Sequence, residues 1–313
     1  MCDSESKSLT YSVVIPVFNE EDNLEVLYER LTKVMVSLNE PYEIIVVDDG
    51  SKDKSFQILQ GLHKNDSKVK VIRFTRNFGQ HMAITAGLDN SKGENVIIMD
   101  ADLQDPPEEI PKLIVKQKEG YDIVYGYRRI RQDNLFKRIT SKVYLWLLAK
   151  LTRQTVNPDI TPLRIISRRV VDYMSQLRER SRFYGGLVSW LGFPFATVDI
   201  KHSERYRGKT KYNLRKMLAL ATEGIISFSD LPLRLITYFG LTVSVVSFII
   251  GIVILIRQLI WDFQVAGYTS TIVSLFFLGG ILLLVLGVIG QYIGRIHIEV
   301  KKRPLYVIRD NLE

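Results

Sequence analysis

Cysteine is nearly missing from this chain of 313 residues: Cys2 stands alone, so no internal disulfide framework is available. Its place in a polar terminal stretch argues against a buried structural role and fits a reducing compartment. Residues 1–9 mix charges and lack an apolar run, so no cleavable signal peptide is expected. There is no long acidic block and no disorder-prone composition, since 46% of residues are hydrophobic and the formal charge is +8. That net charge alone would suggest a nucleic-acid partner. Much of the basic charge lies beside the apolar runs, however, so no nucleic acid is expected.

Charge is absent from two long stretches. Leu235 to Ile256 has about 22 residues without any, and Thr271 to Ile293 is a second such run. Each is long enough to cross a bilayer, so two transmembrane helices are expected over 235–256 and 271–293, the second with small packing surfaces at Gly279, Gly280, Gly287, Gly290 and Gly294. The segment between them carries one basic residue, Arg257. Arg215, Lys216 and Arg234 precede the first run, and Arg295, Lys301, Lys302, Arg303 and Arg309 follow the second. The positive-inside rule then puts the body of the chain and both termini in the cytoplasm. The expected division is a cytosolic domain over 1–211, an interfacial amphipathic helix over 212–232, an anchor over 233–294 and a cytosolic basic tail over 295–313.

The first two thirds of the chain read as α/β. Tyr11–Val17, Tyr42–Asp48, Val69–Phe74 and residues 94–99 are β-rich apolar runs, and between them helical periodicity recurs, as in Leu24, Leu27, Leu31, Val34 and Leu38. This alternation predicts a parallel sheet with right-handed crossovers and ligands at the carboxyl ends of its strands. Further strands are expected over 121–128 and 193–202. An amphipathic helix is expected over 134–151, an irregular stretch over 152–163, and a short helix over about 167–177.

Acids gather where the strands end. Asn19-Glu20-Glu21-Asp22 follows the first, Asp48-Asp49 closes the second, and Met99-Asp100-Ala101-Asp102-Leu103-Gln104-Asp105 closes the fourth. In an extended chain residues two apart point the same way, so Asp100 and Asp102 can converge on one ligand. Two hard oxygen donors beside an open position suit a divalent cation carrying a phosphate-bearing substrate.

Several motifs taken together resemble the dolichyl-phosphate mannose synthase-like branch of glycosyltransferase family 2, and within it the bacterial undecaprenyl-phosphate glycosyltransferases with two C-terminal spans. The motifs are Val14 to Glu20, Val47-Asp48-Asp49-Gly50-Ser51, Arg76 to His81, Met99 to Pro107, Arg205 through Lys211, and Gly290 to Arg295. The resemblance covers nearly the whole chain. It implies a GT-A fold, inversion at the anomeric carbon, and Mg²⁺ or Mn²⁺ as cofactor. It also implies a nucleotide-sugar donor, UDP-linked by expectation, and undecaprenyl or another polyprenyl phosphate as acceptor.

Carried over by motif, Pro16, Phe18, Glu20, Val47 and Asp49 would line the nucleotide. Asp100, Ala101, Asp102 and Gln104 would hold diphosphate and metal, and Arg128, Arg205 and Lys211 would hold the acceptor phosphate or the diphosphate. Asp159 is the candidate acceptor-side aspartate, in a stretch Asp159-Ile160-Thr161-Pro162-Leu163-Arg164 that departs from the family pattern and also suits a turn. The resemblance further implies a homo-oligomer, with a tetramer as the expected form, in the inner membrane of a bacterium. It leaves the sugar, hexose or pentose, unassigned. The rival readings are a sugar-lipid binding scaffold with a decayed site and a processive polysaccharide synthase.

Overall fold

The computed structural model describes residues 9–128, 160–180, 184–201, 231–261 and 267–313. The chain forms two units. The first holds Met1–Ala149, Gln154–Tyr212 and Arg303–Glu313, and the second holds Lys150–Arg153 and Asn213–Lys302.

In the first unit, β1 (Tyr11–Val17) and β2 (Tyr42–Asp48) are buried along their whole length, as strands covered on both faces require. β3 (Val69–Phe74) and β4 (Asn95–Ile98) flank them, giving the parallel order β4-β1-β2-β3. α1 (Leu24–Ser37) buries Leu24, Leu27, Leu31, Val34 and Met35 at helical spacing against this sheet. α2 (Ser55–Asn65) and α3 (Gln80–Asn90) complete the crossovers, and Ala83, Ala86 and Gly87 bring α3 close to β1. A Cβ on Gly87 would lie 2.2 Å from Val14 Cγ1, so glycine there is a packing requirement. The chain passes from β1 to β2 and β3 on one side, then returns to place β4 on the other. The crevice between the carboxyl ends of β1 and β4 is therefore a topological switch point.

Beyond β4 the sheet is mixed. A short turn of 3₁₀ helix (Pro107–Glu109) and α4 (Ile110–Gln117) lead to β5 (Ile123–Tyr127), and β6 (Ile160–Ser167) runs antiparallel between β4 and β5. α5 (Arg168–Gln176), α6 (Tyr184–Leu191) and β7 (Phe195–Asp199) follow, β7 lying parallel to β5 at one edge. The sequence suggests an irregular path as far as residue 163, yet Ile160–Leu163 belongs to β6. Pro162 is tolerated because the register between β5 and β6 shifts there, so its missing N–H breaks no ladder bond. α6 has no counterpart in the sequence reading. The helix expected over 134–151 and the amphipathic helix over 212–232 lie outside the described residues.

The last strand, β8 (Ile308–Leu312), pairs antiparallel with β3 and closes the other edge, where a basic tail is expected from sequence. The full order is β7-β5-β6-β4-β1-β2-β3-β8.

A charged cluster around Glu43 sits within this sheet. Glu43, with a side chain 3% exposed, is 2.7 Å from Lys70 Nζ and accepts bonds from Ser12 Oγ (2.6 Å) and the Lys92 N–H (2.7 Å). Burial works to raise its carboxyl pKa, but the bonds from Lys70, Ser12 and Lys92 outweigh burial and hold it below its ordinary value. A depressed carboxyl contributes stability above its unfolded pKa and loses it as pH falls through the folded one. Lys70→Met is expected to destabilise the fold by about 3 kcal/mol at pH 7, since it strands a buried carboxylate, and by much less at pH 3. Urea midpoints at both pH values test this; equal penalties would show that the charge is not the cause.

The second unit contains α7 (Leu231–Trp261) and α8 (Tyr268–Val300). Among the described residues one segment, Phe277–Val300, has the length and hydropathy of a membrane crossing. The apolar part of α7 that meets the composition, Ile236–Ile250, is shorter than a span requires. One crossing helix is thus found where two are expected.

Candidate functional site

The acid-bearing strand ends meet around one cavity of about 410 Å³ at the carboxyl edge of the sheet. It is lined by Pro16, Val17, Phe18 and Glu20 after β1, Asp49 after β2, Asn77, Gly79 and Gln80 at the start of α3, and Asp100, Ala101 and Asp102 after β4.

The loops that form it are tied to one another. Asn19 takes a left-handed conformation (φ 55°), which its short polar side chain tolerates. Its N–H donates to Ser51 Oγ (2.9 Å), and its Oδ1 accepts from the Lys52 N–H (2.8 Å). The Glu20 N–H donates to Ser55 Oγ (3.0 Å), so the loops after β1 and β2 form one rim. The adjacent acids of β2 separate by alternation. Asp48 is fully buried, accepts from the Ser51 N–H (2.9 Å) and lies 3.4 Å from Arg73 Nε, whereas Asp49 faces the cavity. Asp49 accepts from the backbone N–H groups of Phe78 (2.6 Å) and Gly79 (2.8 Å). Burial raises its carboxyl pKa, opposed by those two bonds. A carboxylate has about four acceptor positions, so Asp49 retains capacity for a donor from a ligand.

On the β4 side the chain has left the sheet before the acids begin, because β4 ends at Ile98. Strand alternation is therefore not what brings Asp100 and Asp102 together; a turn does. Leu103, buried and bulky, is held at φ 60°, a strained conformation for such a residue, immediately after Asp102. Gln80 Nε2 donates to Asp100 Oδ1 (2.7 Å), and Asp102, 7% exposed, accepts from the Gln104 N–H (3.1 Å). Burial, followed by the negative charge of Asp102, pushes the Asp100 carboxyl up to about 7; Asp105 adds to this, while Arg164 and Gln80 oppose it. Crowded, desolvated carboxylates of this kind are relieved by a cation. Among the described residues no group of three or more His, Cys, Asp or Glu is placed to hold a metal by protein ligands alone. The donor set fits a hard divalent ion shared between one or two carboxylates and the phosphates of a substrate.

Of the residues expected from sequence, Pro16, Phe18, Glu20, Asp49, Asp100, Ala101 and Asp102 line the cavity. Val47 does not: it is fully buried within β2, two residues before Asp49. Gln104 contributes its N–H to Asp102 and lies outside the lining. Arg128 also lies outside it, 3.6 Å from Asp105. Asp159, Arg205 and Lys211 fall outside the described residues.

Two groups have no role assigned from sequence. Asn77 and Gly79 come from the loop after β3 and Gln80 is the first residue of α3; the motif Arg76 to His81, at the same sheet edge, was the available signal. Asp105, 4% exposed, accepts from the Leu163 N–H (3.3 Å) and so fastens β6 to the turn that carries Asp100 and Asp102. Gly126 on β5 lets β6 pack closely, since a Cβ there would lie 2.6 Å from Thr161 Oγ1.

Comparison with known proteins identifies the family. Residues 12–173 match the family model described as glycosyl transferase family 2. An uncharacterized glycosyltransferase of Bacillus subtilis (strain 168), YkcC, is 44% identical over 97% of this chain and 94% of its own length. A prophage-derived bactoprenol glucosyl transferase of Shigella flexneri is 42% identical over 95% of this chain and 97% of its own length. A glucosyl-3-phosphoglycerate synthase of Mycobacterium tuberculosis, solved with Mn²⁺, UDP and phosphoglyceric acid, is 20% identical, with 70% of this chain and 77% of that one covered at a TM-score of 0.46. The fold assignment therefore rests on the sheet order and the family match, which together give a GT-A type α/β domain. By that match and by relatives alike along almost its whole length, the chain belongs to glycosyl transferase family 2.

Proposed function

We propose that this protein transfers one sugar from a nucleotide-sugar donor, UDP-linked, to undecaprenyl or another polyprenyl phosphate at the cytoplasmic face of a bacterial membrane. The observation that carries this reading is the convergence of Asp49, Asp100 and Asp102 on one cavity, in a chain 42% identical to a bactoprenol glucosyl transferase.

In this reading Pro16, Phe18 and Asp49 hold the nucleoside. Asp49 accepts the N3–H of a uracil with the acceptor capacity left by Phe78 and Gly79. Asp100 and Asp102 face the diphosphate, and Gln80 fixes the Asp100 carboxylate by donating to its Oδ1. Asp100 and Asp102 would hold Mg²⁺ or Mn²⁺, which would supply positive charge to offset that developing on the leaving group. An oxygen of the lipid phosphate attacks the anomeric carbon. The bond from that carbon to the diphosphate oxygen breaks, and the sugar is inverted. A phosphate monoester has a second pKa of about 6 and is largely dianionic at neutral pH. Positioning and charge neutralisation therefore carry more of the barrier than a general base, and Arg128, Arg205 and Lys211 are assigned to phosphate binding. Asp159 is assigned to orienting the acceptor.

The second unit supports a membrane location. Leu275, Phe277, Leu282 and Leu283 on α8 are all more than 60% exposed, an apolar surface that water does not favour. Residues on both sides of 213–302 belong to the first unit, so any crossings by the chain between them are even in number. That parity supports α7 as a second span beside α8, with both ends of the segment on the same face.

The test is transfer of radiolabel from a panel of nucleotide sugars to undecaprenyl phosphate, using the full-length protein in lipid nanodiscs. Label is expected in the organic phase with Mg²⁺ or Mn²⁺ and not with EDTA. If no nucleotide binds with either metal, the binding-scaffold reading takes its place.

A further inference from the structure

The strand that closes the sheet reaches the cavity through side chains. Thr75, just beyond β3, donates its N–H to the Val307 carbonyl (3.1 Å). The Tyr306 ring stacks on Phe74 with centroids 5.1 Å apart and planes at 15°, and Phe74 meets the Phe78 ring edge-on at 5.6 Å and 83°. Phe78 is the residue whose N–H donates to Asp49, and Arg76 lies over its ring at 3.9 Å. A second path runs in parallel. Asp310 on β8 is 3.7 Å from Arg73, Arg73 is 3.4 Å from Asp48, and Asp48 accepts from the Ser51 N–H at the turn after Asp49. Tyr306 is itself fixed: its hydroxyl donates to Asp89 on α3 (2.7 Å), and Arg178 makes two bonds to the same carboxylate (2.8 and 3.0 Å).

We propose that the segment after α8 is part of the donor site, with Tyr306 and Asp310 acting as positioning residues that hold the 75–79 loop and Asp49 in the shape the nucleotide requires. This rests on the nucleotide-site reading above. The two paths begin in one segment, at Tyr306 just before β8 and at Asp310 within it, and end at two adjacent acids, Asp49 and Asp48. Docking of β8 and filling of the cavity therefore favour the same arrangement of those acids, and such coupling is reciprocal: what β8 does for nucleotide affinity, nucleotide does for β8.

Two measurements on the full-length protein test it. The first is backbone hydrogen exchange of the wild type with and without the tightest binder among UDP, GDP, CDP and TDP, in the presence of Mn²⁺. Exchange is expected to slow both at 75–79 and at 307–312. Slowing at 75–79 with 307–312 unchanged overturns the proposal. If none of the four nucleotides binds, the nucleotide-site reading fails and takes this one with it, which is a different result. The second is calorimetry on variants. Tyr306→Ala is expected to weaken nucleotide binding about tenfold. Tyr306→Phe, which keeps the stack and loses only the hydroxyl, should stay within twofold. Arg178→Ala, which loosens the same region away from the ring path, should also stay within twofold. Equal losses in Tyr306→Ala and Arg178→Ala would reduce the effect to general loosening and overturn the assignment of Tyr306.

Discussion

Asp102→Ala is expected to lower sugar transfer by at least about 1000-fold, roughly 4 kcal/mol of barrier, while the protein stays folded. The loss follows from the donor set. Asp100 and Asp102 are the carboxylates assigned to the diphosphate, so removing either leaves one of that pair to meet a cation there. The retained fold follows from the crowding. Asp102 is a principal reason the Asp100 carboxyl is pushed up to about 7, so its removal takes away a repulsion along with the bond it accepts from Gln104. Thermal melts in EDTA should place the variant within about 3 °C of wild type. UDP with Mn²⁺ should raise the wild-type Tm by linkage and leave the variant unmoved. A variant that still transfers sugar at a tenth of the normal rate would remove Asp102 from the chemistry.

Gly50→Ala is expected to destabilise the first unit by about 2–4 kcal/mol and to abolish measurable nucleotide binding. Gly50 holds φ at +69°, and a Cβ there would lie 2.6 Å from the Arg76 carbonyl carbon and 2.9 Å from both Arg76 Cα and Asn77 N. These obstacles are backbone, so no rotamer change relieves them. The loop that carries Phe78 and Gly79 would have to back away from Asp49, breaking the two bonds that hold it. Gly61→Ala is the matched control: it lies in α2 with no atom within 4 Å of the new methyl, and alanine there should stabilise by up to about 1 kcal/mol. Urea midpoints and calorimetry on the pair decide the matter. A Gly50→Ala protein as stable as wild type would mean that the two loops do not abut as described.

What could be read from sequence was what local pattern encodes. β1 to β4 and the helices between them are each marked within a few residues, by buried β-rich runs and by apolar residues at helical spacing. Their alternation fixes which sheet edge holds the acids. The same locality explains the failures. In Ile308-Arg309-Asp310-Asn311-Leu312 only the two end residues are apolar, and the strand exists because β3 offers an unpaired edge most of the chain away. Pro162 argued for an irregular path, and only the register shift against β5 makes it compatible with a strand. Asp100 and Asp102 both line the cavity, but a turn at Leu103 and not strand alternation brings them there.

The position of β8 also governs the order in which the molecule is built. A chain emerging from the ribosome presents β1 to β4 early, but the outer edge of β3 stays open until residues 308–312 appear, after both long apolar helices have been made. An uncovered edge is a template for pairing with other chains, and contacts this distant along the sequence form late. Nascent protein is therefore most exposed to aggregation during synthesis of the apolar helices. The sheet's outer edge is covered only after those helices have been made.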